Sequence, residues 1–285
     1  MKMFTSAAFT YPEFDKTIFA RVPAADLCES KGGGVGWPKD RENVSKMLEF
    51  IAAGDGSRPF MTFMFFESPH APYHFPPECA IRRPYTEDLN YLTMRLDRDI
   101  GLIRNRYLNS CRHLDTQIAR VLKGLEEKGL LESTLVLITG DHGEEMMEKG
   151  RWGHNSDFTE EQTRVPLVLW IPGHAPDEVT RMTSHLDIPA TVLTLLGVTT
   201  PPGDYSLGFD LLGDGRREYS VLSDWDHLVY VDAEHKAELP IKTYDFRQQR
   251  VTTKDDVEIP DRAGFYEKKR DRLLQVAREL KKFRK

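Results

Sequence analysis

Cysteine is scarce in this chain of 285 residues, and its three copies are far apart. Cys28, Cys79 and Cys111 are too few for a disulfide framework, and their spacing matches no zinc-binding pattern. A disulfide-stabilised scaffold and a zinc finger are therefore excluded, while the redox compartment stays open.

Long apolar runs and a surplus of positive charge are also missing. The longest apolar run, 60–66, has seven residues with one threonine among them, whereas a membrane-spanning helix needs about 20. The opening residues lack the apolar block of a secretory signal. The sequence as given therefore predicts a soluble, intracellular chain. Lys and Arg number 39 against 45 Asp and Glu, and the net charge of −6 disfavours a nucleic-acid partner.

The order of apolar segments indicates an α/β fold. Hydrophobic residues make up 40% of the chain, which suffices for one large domain or two ordinary ones. Nearly continuous apolar segments at 59–66, 135–139 and 164–173 are typical of strands covered on both faces. Helical spacing over 107–131 and around Val44–Ile51 adds long amphipathic helices. We therefore predict a mostly parallel sheet flanked by helices.

Two regions are expected along the chain. Residues 1–215 are predicted to form the α/β core, and residues 216–285 a smaller C-terminal α+β region of short strands, loops and a terminal helix packed on that core. The opening stretch to about Asp40 is predicted to be a loop, because it mixes aromatic residues with turn formers and ends in a glycine run. Those glycines lack the spacing of a phosphate-binding loop, so a flexible connection is the favoured interpretation.

Acidic and imidazole side chains follow two of the predicted strands. Asp141 and His142 stand between two glycines directly after the strand at 135–139, and His70 follows the strand at 59–66. Ligands of parallel sheets bind beyond the carboxyl ends of the strands, which places these three residues along one edge. A carboxylate beside a neutral imidazole is a divalent-metal pair, suited by its nitrogen to Zn, Mn or Fe and by its oxygen to Mg or Ca.

His154 lies twelve residues after His142 and completes a set of four candidate groups. Convergence of the four groups is the testable expectation. The sequence leaves open the alternative that His70, placed between prolines, and His154, beside Trp152, are loop histidines bonded to the backbone. His74 and His185 are interpreted as structural histidines. His113 is interpreted as a solvated one.

Four ordered motifs resemble the alkaline phosphatase and sulfatase superfamily over about 59–198. The segment LVLITGDHG at 135–143 resembles its metal-binding signature, and HAPY at 70–73 its upstream histidine loop. The stretch 153–173 is similar to its later strand entry, and 184–193 matches its structural helix start.

The resemblance implies roles for the four candidate groups. Asp141 and His142 would bind a divalent ion, which is Ca, Mg, Mn or Zn. His70 and His154 would contact the sulfate or phosphate group, or a second metal. The fold implied is the sulfatase-like α/β fold.

The flanks resemble a narrower family. Residues 3–10 and 272–277 look like the soluble half of a Gram-negative inner-membrane family, in which a multi-helix anchor carries a periplasmic sulfatase-like domain linked to lipopolysaccharide and cardiolipin balance. This resemblance implies an upstream membrane anchor, a place at the periplasmic face of the inner membrane, and an anionic ester or phospholipid headgroup as partner. Neither the substrate nor the oligomeric state follows from it.

The nucleophile of the superfamily, a Ser, Thr or modified Cys, comes from an earlier strand and helix start. No strand is predicted before residue 40 to present Thr5, Ser6 or Thr10, and Cys28 lacks the Cys-x-Pro-x-Arg context of sulfatases. We therefore expect the C-terminal half of a metal-dependent sulfuric- or phosphoric-ester hydrolase or transferase domain, inactive alone. The alternative is a non-catalytic periplasmic sensor of envelope lipid balance that kept the fold and lost the chemistry.

Overall fold

A computed structural model describes residues 1–11, 13–30, 36–224, 227–239 and 249–283. Most of the predicted glycine-rich connection, at 31–35, therefore lies outside the described residues. The strands in these ranges are β1 (Lys2–Thr5), β2 (Leu27–Glu29), β3 (Thr62–Phe65), β4 (Val136–Thr139), β5 (Glu145–Met146), β6 (Trp152–Gly153), β7 (Leu167–Trp170), β8 (Tyr219–Ser223), β9 (Leu228–Asp232), β10 (His235–Leu239) and β11 (Val251–Thr253). The α-helices are α1 (Trp37–Ala52), α2 (Leu96–Glu127), α3 (Glu160–Thr163), α4 (Asp187–Leu195) and α5 (Arg262–Glu279).

The chain divides into two compact units, which are described separately. The first unit comprises Met1–Gly140, Glu144–Gly153 and Pro166–His174. The second comprises Asp141–Gly143, His154–Val165 and Ala175–Lys285. The sequence-based division of the chain after residue 215 stays a prediction.

A parallel sheet in the order β2-β1-β3 lies in the first unit. Successive side chains of a strand point to opposite faces, and Met3 and Phe4 of β1 accordingly belong to two different apolar clusters. Phe4 packs with Met47 and Ile51 of α1 and with Leu125 of α2. The parallel strands and their helices confirm the predicted fold class.

The prediction that no strand precedes residue 40 is wrong. β1 is the central strand of the parallel sheet, and β2 is at its edge. β1 has only four residues, of which the first is lysine and the last threonine, so its own pattern is too short to indicate a strand. Hydrogen-bonded neighbours on both sides make it one. Thr5 and Ser6 stand at its carboxyl end, and both are completely buried.

A second pair of strands departs from the predicted parallel arrangement. β4 and β7 occur where strands were predicted, but they run antiparallel to each other. β7 is covered on one face only, because Val168 and Trp170 are 56% and 42% exposed. The Trp170 indole donates a hydrogen bond to the carbonyl of Leu131 at 3.1 Å.

α2 is the longest helix, and it starts well before the predicted residue 107. His113 in its middle is completely buried, so its interpretation as a solvated residue is wrong. The His113 ring packs edge-on against Trp37 with centroids 6.2 Å apart, and burial lowers the pKa of His113. Within the described ranges, no helix combines the length and the apolar composition that crossing a bilayer requires.

An antiparallel sheet in the order β11-β10-β9-β8 lies in the second unit. It belongs to the C-terminal region, where short strands and a terminal helix were predicted. α5 begins after Asp261, whose carboxylate accepts a hydrogen bond from the Gly264 N–H at 3.0 Å. One apolar cluster joins this helix to the sheet, and its buried members are Tyr230, Ala237, Val251, Phe265 and Val276.

Asp232 closes the hairpin between β9 and β10. Its carboxylate accepts hydrogen bonds from the Glu234 N–H (2.9 Å), the His235 N–H (2.8 Å), the Tyr230 hydroxyl (3.0 Å) and the Lys269 ammonium (2.6 Å). Burial raises the pKa of Asp232, but these hydrogen bonds outweigh it and lower the pKa to about 2.

We expect this hairpin to lose stability as the pH falls from about 4 toward 2. The pKa of an Asp carboxyl is about 4 in the unfolded chain, and that of folded Asp232 is about 2. Above this window the depressed pKa contributes about 2 kcal/mol to the free energy of unfolding. Asp232→Asn should remove that amount at pH 7 and flatten the acid dependence, as urea unfolding at several pH values would measure. The exposed Asp214→Asn is the control. An Asp232→Asn variant with wild-type acid sensitivity contradicts the prediction.

Candidate functional site

His70 stands in a loop after β3 that Asp40 fixes. The Asp40 carboxylate, in the first turn of α1, accepts hydrogen bonds from the N–H groups of Glu67 and Ser68, each at 3.0 Å, and from the Ser68 hydroxyl. Asp40 and Ser68 are completely buried. A buried carboxylate with three donors is well compensated, so the start of the histidine loop is firmly held.

The His70 ring is exposed and oriented by its own loop. Its Nδ1 lies 2.9 Å from the carbonyl oxygen of Ala71, so Nδ1–H is the donor of a hydrogen bond to that oxygen. Metal-binding imidazoles are commonly oriented by such a backbone contact. The same contact is what a structural loop histidine would make, so both interpretations of His70 account for it.

Tyr73 and Arg106 complete the support of this loop in the first unit. The completely buried Tyr73 donates its hydroxyl proton to Glu144, and burial together with the nearby Glu144 raises the pKa of Tyr73. The Arg106 guanidinium of α2 donates to the carbonyl of Pro72 at 2.6 Å. Sequence reasoning selected neither residue. Tyr73 stands inside the HAPY motif, whereas Arg106 has no local signal because Pro72 is 34 residues away.

Asp141, His142 and His154 lie together in the second unit. The rings of His142 and His154 stack with centroids 4.0 Å apart and 28° between their planes. The Asp141 carboxylate accepts the His142 N–H at 3.1 Å, and its Oδ2 lies 3.7 Å from Nε2 of His142. Three of the four predicted residues are thus brought together within one unit, and His70 belongs to the other.

Gly143 and Gln162 hold the turn that carries His142. The Gly143 N–H donates to the Gln162 carbonyl at 2.8 Å. A Cβ on Gly143 would lie 2.0 Å from the carbonyl oxygen of Glu161, so only glycine fits. The buried Gln162 side chain accepts from the N–H groups of Ser156 and Asp157 at 3.2 and 3.3 Å. No motif indicated Gln162, because its role depends on these tertiary contacts.

The donors in this unit fit a divalent metal. His142 and His154 each offer a ring nitrogen, and these nitrogens lie within 4.8 Å of each other, so His154 stands next to any ion that His142 holds. Nδ1 of His142 lies 2.9 Å from the Gly143 carbonyl, the type of contact that orients a metal-binding imidazole. Asp141, whose Oδ2 lies 3.7 Å from Nε2 of His142, offers a carboxylate at the same turn, and imidazole nitrogens with a carboxylate oxygen suit Zn or Mn.

Comparison with known proteins identifies relatives of this chain. The sulfatase family profile matches residues 3–198. The inner membrane protein YejM of Salmonella typhimurium is 35% identical over 114 residues, which are 39% of this chain and 19% of that protein. Human iduronate 2-sulfatase is 36% identical over 88 residues, which are 30% of this chain and 16% of that enzyme. The chain therefore covers less than a fifth of each of these two relatives.

A solved structure supports the same fold. The phosphonate monoester hydrolase from Silicibacter pomeroyi superposes with a TM-score of 0.70 over 92% of this chain and 64% of that protein, at 17% sequence identity. An identity this low shows the fold alone. That fold is the α/β fold of the alkaline phosphatase and sulfatase superfamily, with a parallel sheet, flanking helices and a C-terminal antiparallel sheet.

Proposed function

The chain belongs to the sulfatase family, and from this membership we propose that it supplies part of the site of a metal-dependent hydrolase or transferase of sulfuric or phosphoric esters. The observation that carries the proposal is the stacked His142–His154 pair beside Asp141. Such a set of nitrogen and oxygen donors suits a divalent ion. A sulfate or phosphate ester is an anion that such an ion attracts.

Each candidate side chain has a defined role in this proposal. Asp141 and His142 hold the divalent ion, and His70 and His154 contact the sulfate or phosphate group or a second ion. A bound divalent ion lowers the pKa of the attacking group and neutralises charge on the non-bridging oxygens. The contact of Nδ1 with the Ala71 carbonyl orients the His70 ring, and in this proposal His70 exchanges a proton with the leaving group.

We assign the nucleophile to neither hydroxyl at the end of β1. Thr5 and Ser6 are completely buried, and their oxygens accept hydrogen bonds from the Ala7 N–H at 3.1 Å and the Asn43 amide at 3.2 Å. A substrate therefore has no access to them. We propose that the nucleophile comes from sequence outside this chain and expect slow or absent turnover by the chain alone.

Metal analysis of the purified chain tests the site. We expect bound Zn or Mn in the wild type and a clear loss of it in Asp141→Ala, His142→Ala and His154→Ala, because each change removes a ligand or its neighbour. His227→Ala is the matched control, since it removes an exposed histidine of the same unit that pairs with Asp224. Equal metal content in all variants would remove the site hypothesis.

A second function is favoured by the 35% identity to an inner membrane protein. In this alternative the domain is a non-catalytic sensor that binds phospholipid headgroups at the periplasmic face of the inner membrane, carried by an upstream anchor. The full-length protein would separate the two functions. Turnover of an aryl sulfate or aryl phosphonate that His142→Ala abolishes supports the hydrolase. Binding to cardiolipin vesicles and not to phosphatidylcholine vesicles, without turnover, supports the sensor.

A further inference from the structure

We propose that the antiparallel C-terminal sheet positions the His142–His154 pair through two cations, Lys236 and Arg250. Both cations bind the segment 157–160 that follows His154 in the chain. They would thus be positioning residues, which act on the site through the backbone and touch no substrate. The inference rests on the proposed function only in taking the two histidines as site residues.

Lys236 of β10 is the buried one of the two cations that bind the segment 157–160. It is 4% exposed, and its ammonium donates to the Phe158 carbonyl at 2.9 Å and to the Asp256 carboxylate at 2.7 Å, with a Glu160 oxygen at 3.8 Å. A buried ammonium requires full compensation of its charge. The Phe158 carbonyl is part of that compensation, so the backbone at Phe158 is held to β10.

Arg250, directly before β11, supplies the second contact. Its guanidinium donates to Oδ2 of Asp157 at 2.8 Å, while Oδ1 of Asp157 accepts the Phe158 N–H at 2.8 Å. The bond to Asp157 raises the pKa of Arg250, as expected for a charge-assisted pair. Asp157 is therefore bonded both to the sheet and to its own segment, which fixes the backbone around residue 157.

A continuous series of hydrogen bonds leads from this point to both histidines. The Gln162 side chain accepts the N–H groups of Ser156 and Asp157, and it donates to the Ser156 hydroxyl at 3.0 Å. The Gln162 carbonyl accepts the Gly143 N–H at 2.8 Å. Gly143 is the neighbour of His142, and Ser156 lies two residues after His154. The orientation of both rings therefore depends on a backbone that the sheet holds in place.

Arg250→Met tests the inference without removing a buried charge, because the Arg250 side chain is 34% exposed. We expect the affinity of the chain for Zn²⁺, measured by calorimetry, to fall by about 10-fold, the lower end of the effect of losing a group bonded directly to a metal ligand, because Arg250 acts through the backbone. The nuclear Overhauser effect between the ring protons of His142 and His154 in the metal-free chain should also weaken. Arg250→Lys keeps a cationic donor and should restore both signals.

Two further variants make the result decisive. Arg262→Met removes an exposed ion pair with Glu258 in the same unit and should leave both readouts unchanged. Asp157→Asn removes the charge of the Arg250 pair from the other side and should reproduce Arg250→Met. Unchanged affinity and ring contact in both Arg250→Met and Asp157→Asn overturns the inference and leaves the proposed function standing. A different result is that the wild-type chain binds no Zn²⁺ and Arg250→Met still weakens the contact between the two histidine rings. That result supports the inference and contradicts the metal site.

Discussion

Asp187→Ala is expected to lower the free energy of unfolding by about 3–5 kcal/mol, the usual cost of removing one partner of a buried ion pair. The Asp187 and Arg217 side chains are only 3% and 7% exposed, and the Arg217 guanidinium donates to the Asp187 carboxylate. The same carboxylate accepts the N–H groups of Ser184 at 2.7 Å and Phe209 at 2.8 Å. Alanine would therefore leave a buried cation and two backbone donors without their acceptor. Urea denaturation measures the loss as a lower midpoint at unchanged slope.

A double-mutant cycle isolates the buried charge. Asp187→Ala with Arg217→Met should be less destabilised than the sum of the two single variants, because the methionine removes the cation that the alanine leaves behind. Glu258→Ala, which breaks the exposed pair with Arg262, is the control and should change stability by at most about 0.5 kcal/mol. A loss below about 1 kcal/mol in Asp187→Ala would contradict the buried-charge argument.

Asp187 also illustrates how a correct element can be predicted for an incomplete reason. A structural helix start was expected at 184–193, and α4 does begin at Asp187. Its side chain does not cap the helix, and it instead binds Ser184, Phe209 and Arg217. The helix was predictable because its motif is one continuous segment of the sequence. The contacts to Phe209 and Arg217 were not, because they join positions 22 and 30 residues apart.

The same distinction explains which strands were predicted. The strands β3, β4 and β7 lie inside apolar runs that indicate strands by themselves. β1 has four residues and β2 has three. Only the pairing of β1 with β2 on one side and with β3 on the other defines these two strands. The direction of β7 relative to β4 was likewise not encoded in either run, since an apolar segment fits parallel and antiparallel neighbours alike.

The candidate site follows this pattern as well. Asp141, His142 and His154 could be proposed as site residues because their chemistry is visible in the residue types and in the strand that precedes the first two. The residues that hold them were not identifiable. Asp157 and Arg250 are 93 residues apart, and Lys236 reaches a backbone carbonyl 78 residues away. Periodicity over a window of 11–18 residues carries no information about such pairs.

Gly143→Ala is the second change with a large expected effect, and it acts on the site. The added methyl group would lie 2.0 Å from the Glu161 carbonyl oxygen, a distance that real side chains do not reach. Either the turn at 141–143 or the backbone at Glu161 must move, and the Gly143 to Gln162 hydrogen bond breaks. We expect Zn²⁺ affinity to fall by about 100-fold, because a displaced His142 no longer faces His154.

Two measurements make the Gly143→Ala prediction specific to the site. Calorimetry reports the Zn²⁺ affinity, and the Overhauser effect between the two histidine rings reports their contact without metal, which the 4.0 Å stacking makes observable. Gly101→Ala is the matched control, because its added Cβ, in the second turn of α2, meets nothing within 4 Å. It should leave both readouts unchanged and stabilise the chain by up to about 1 kcal/mol. Wild-type ring contact in Gly143→Ala would mean that the close packing of Gly143 against Glu161 does not place His142.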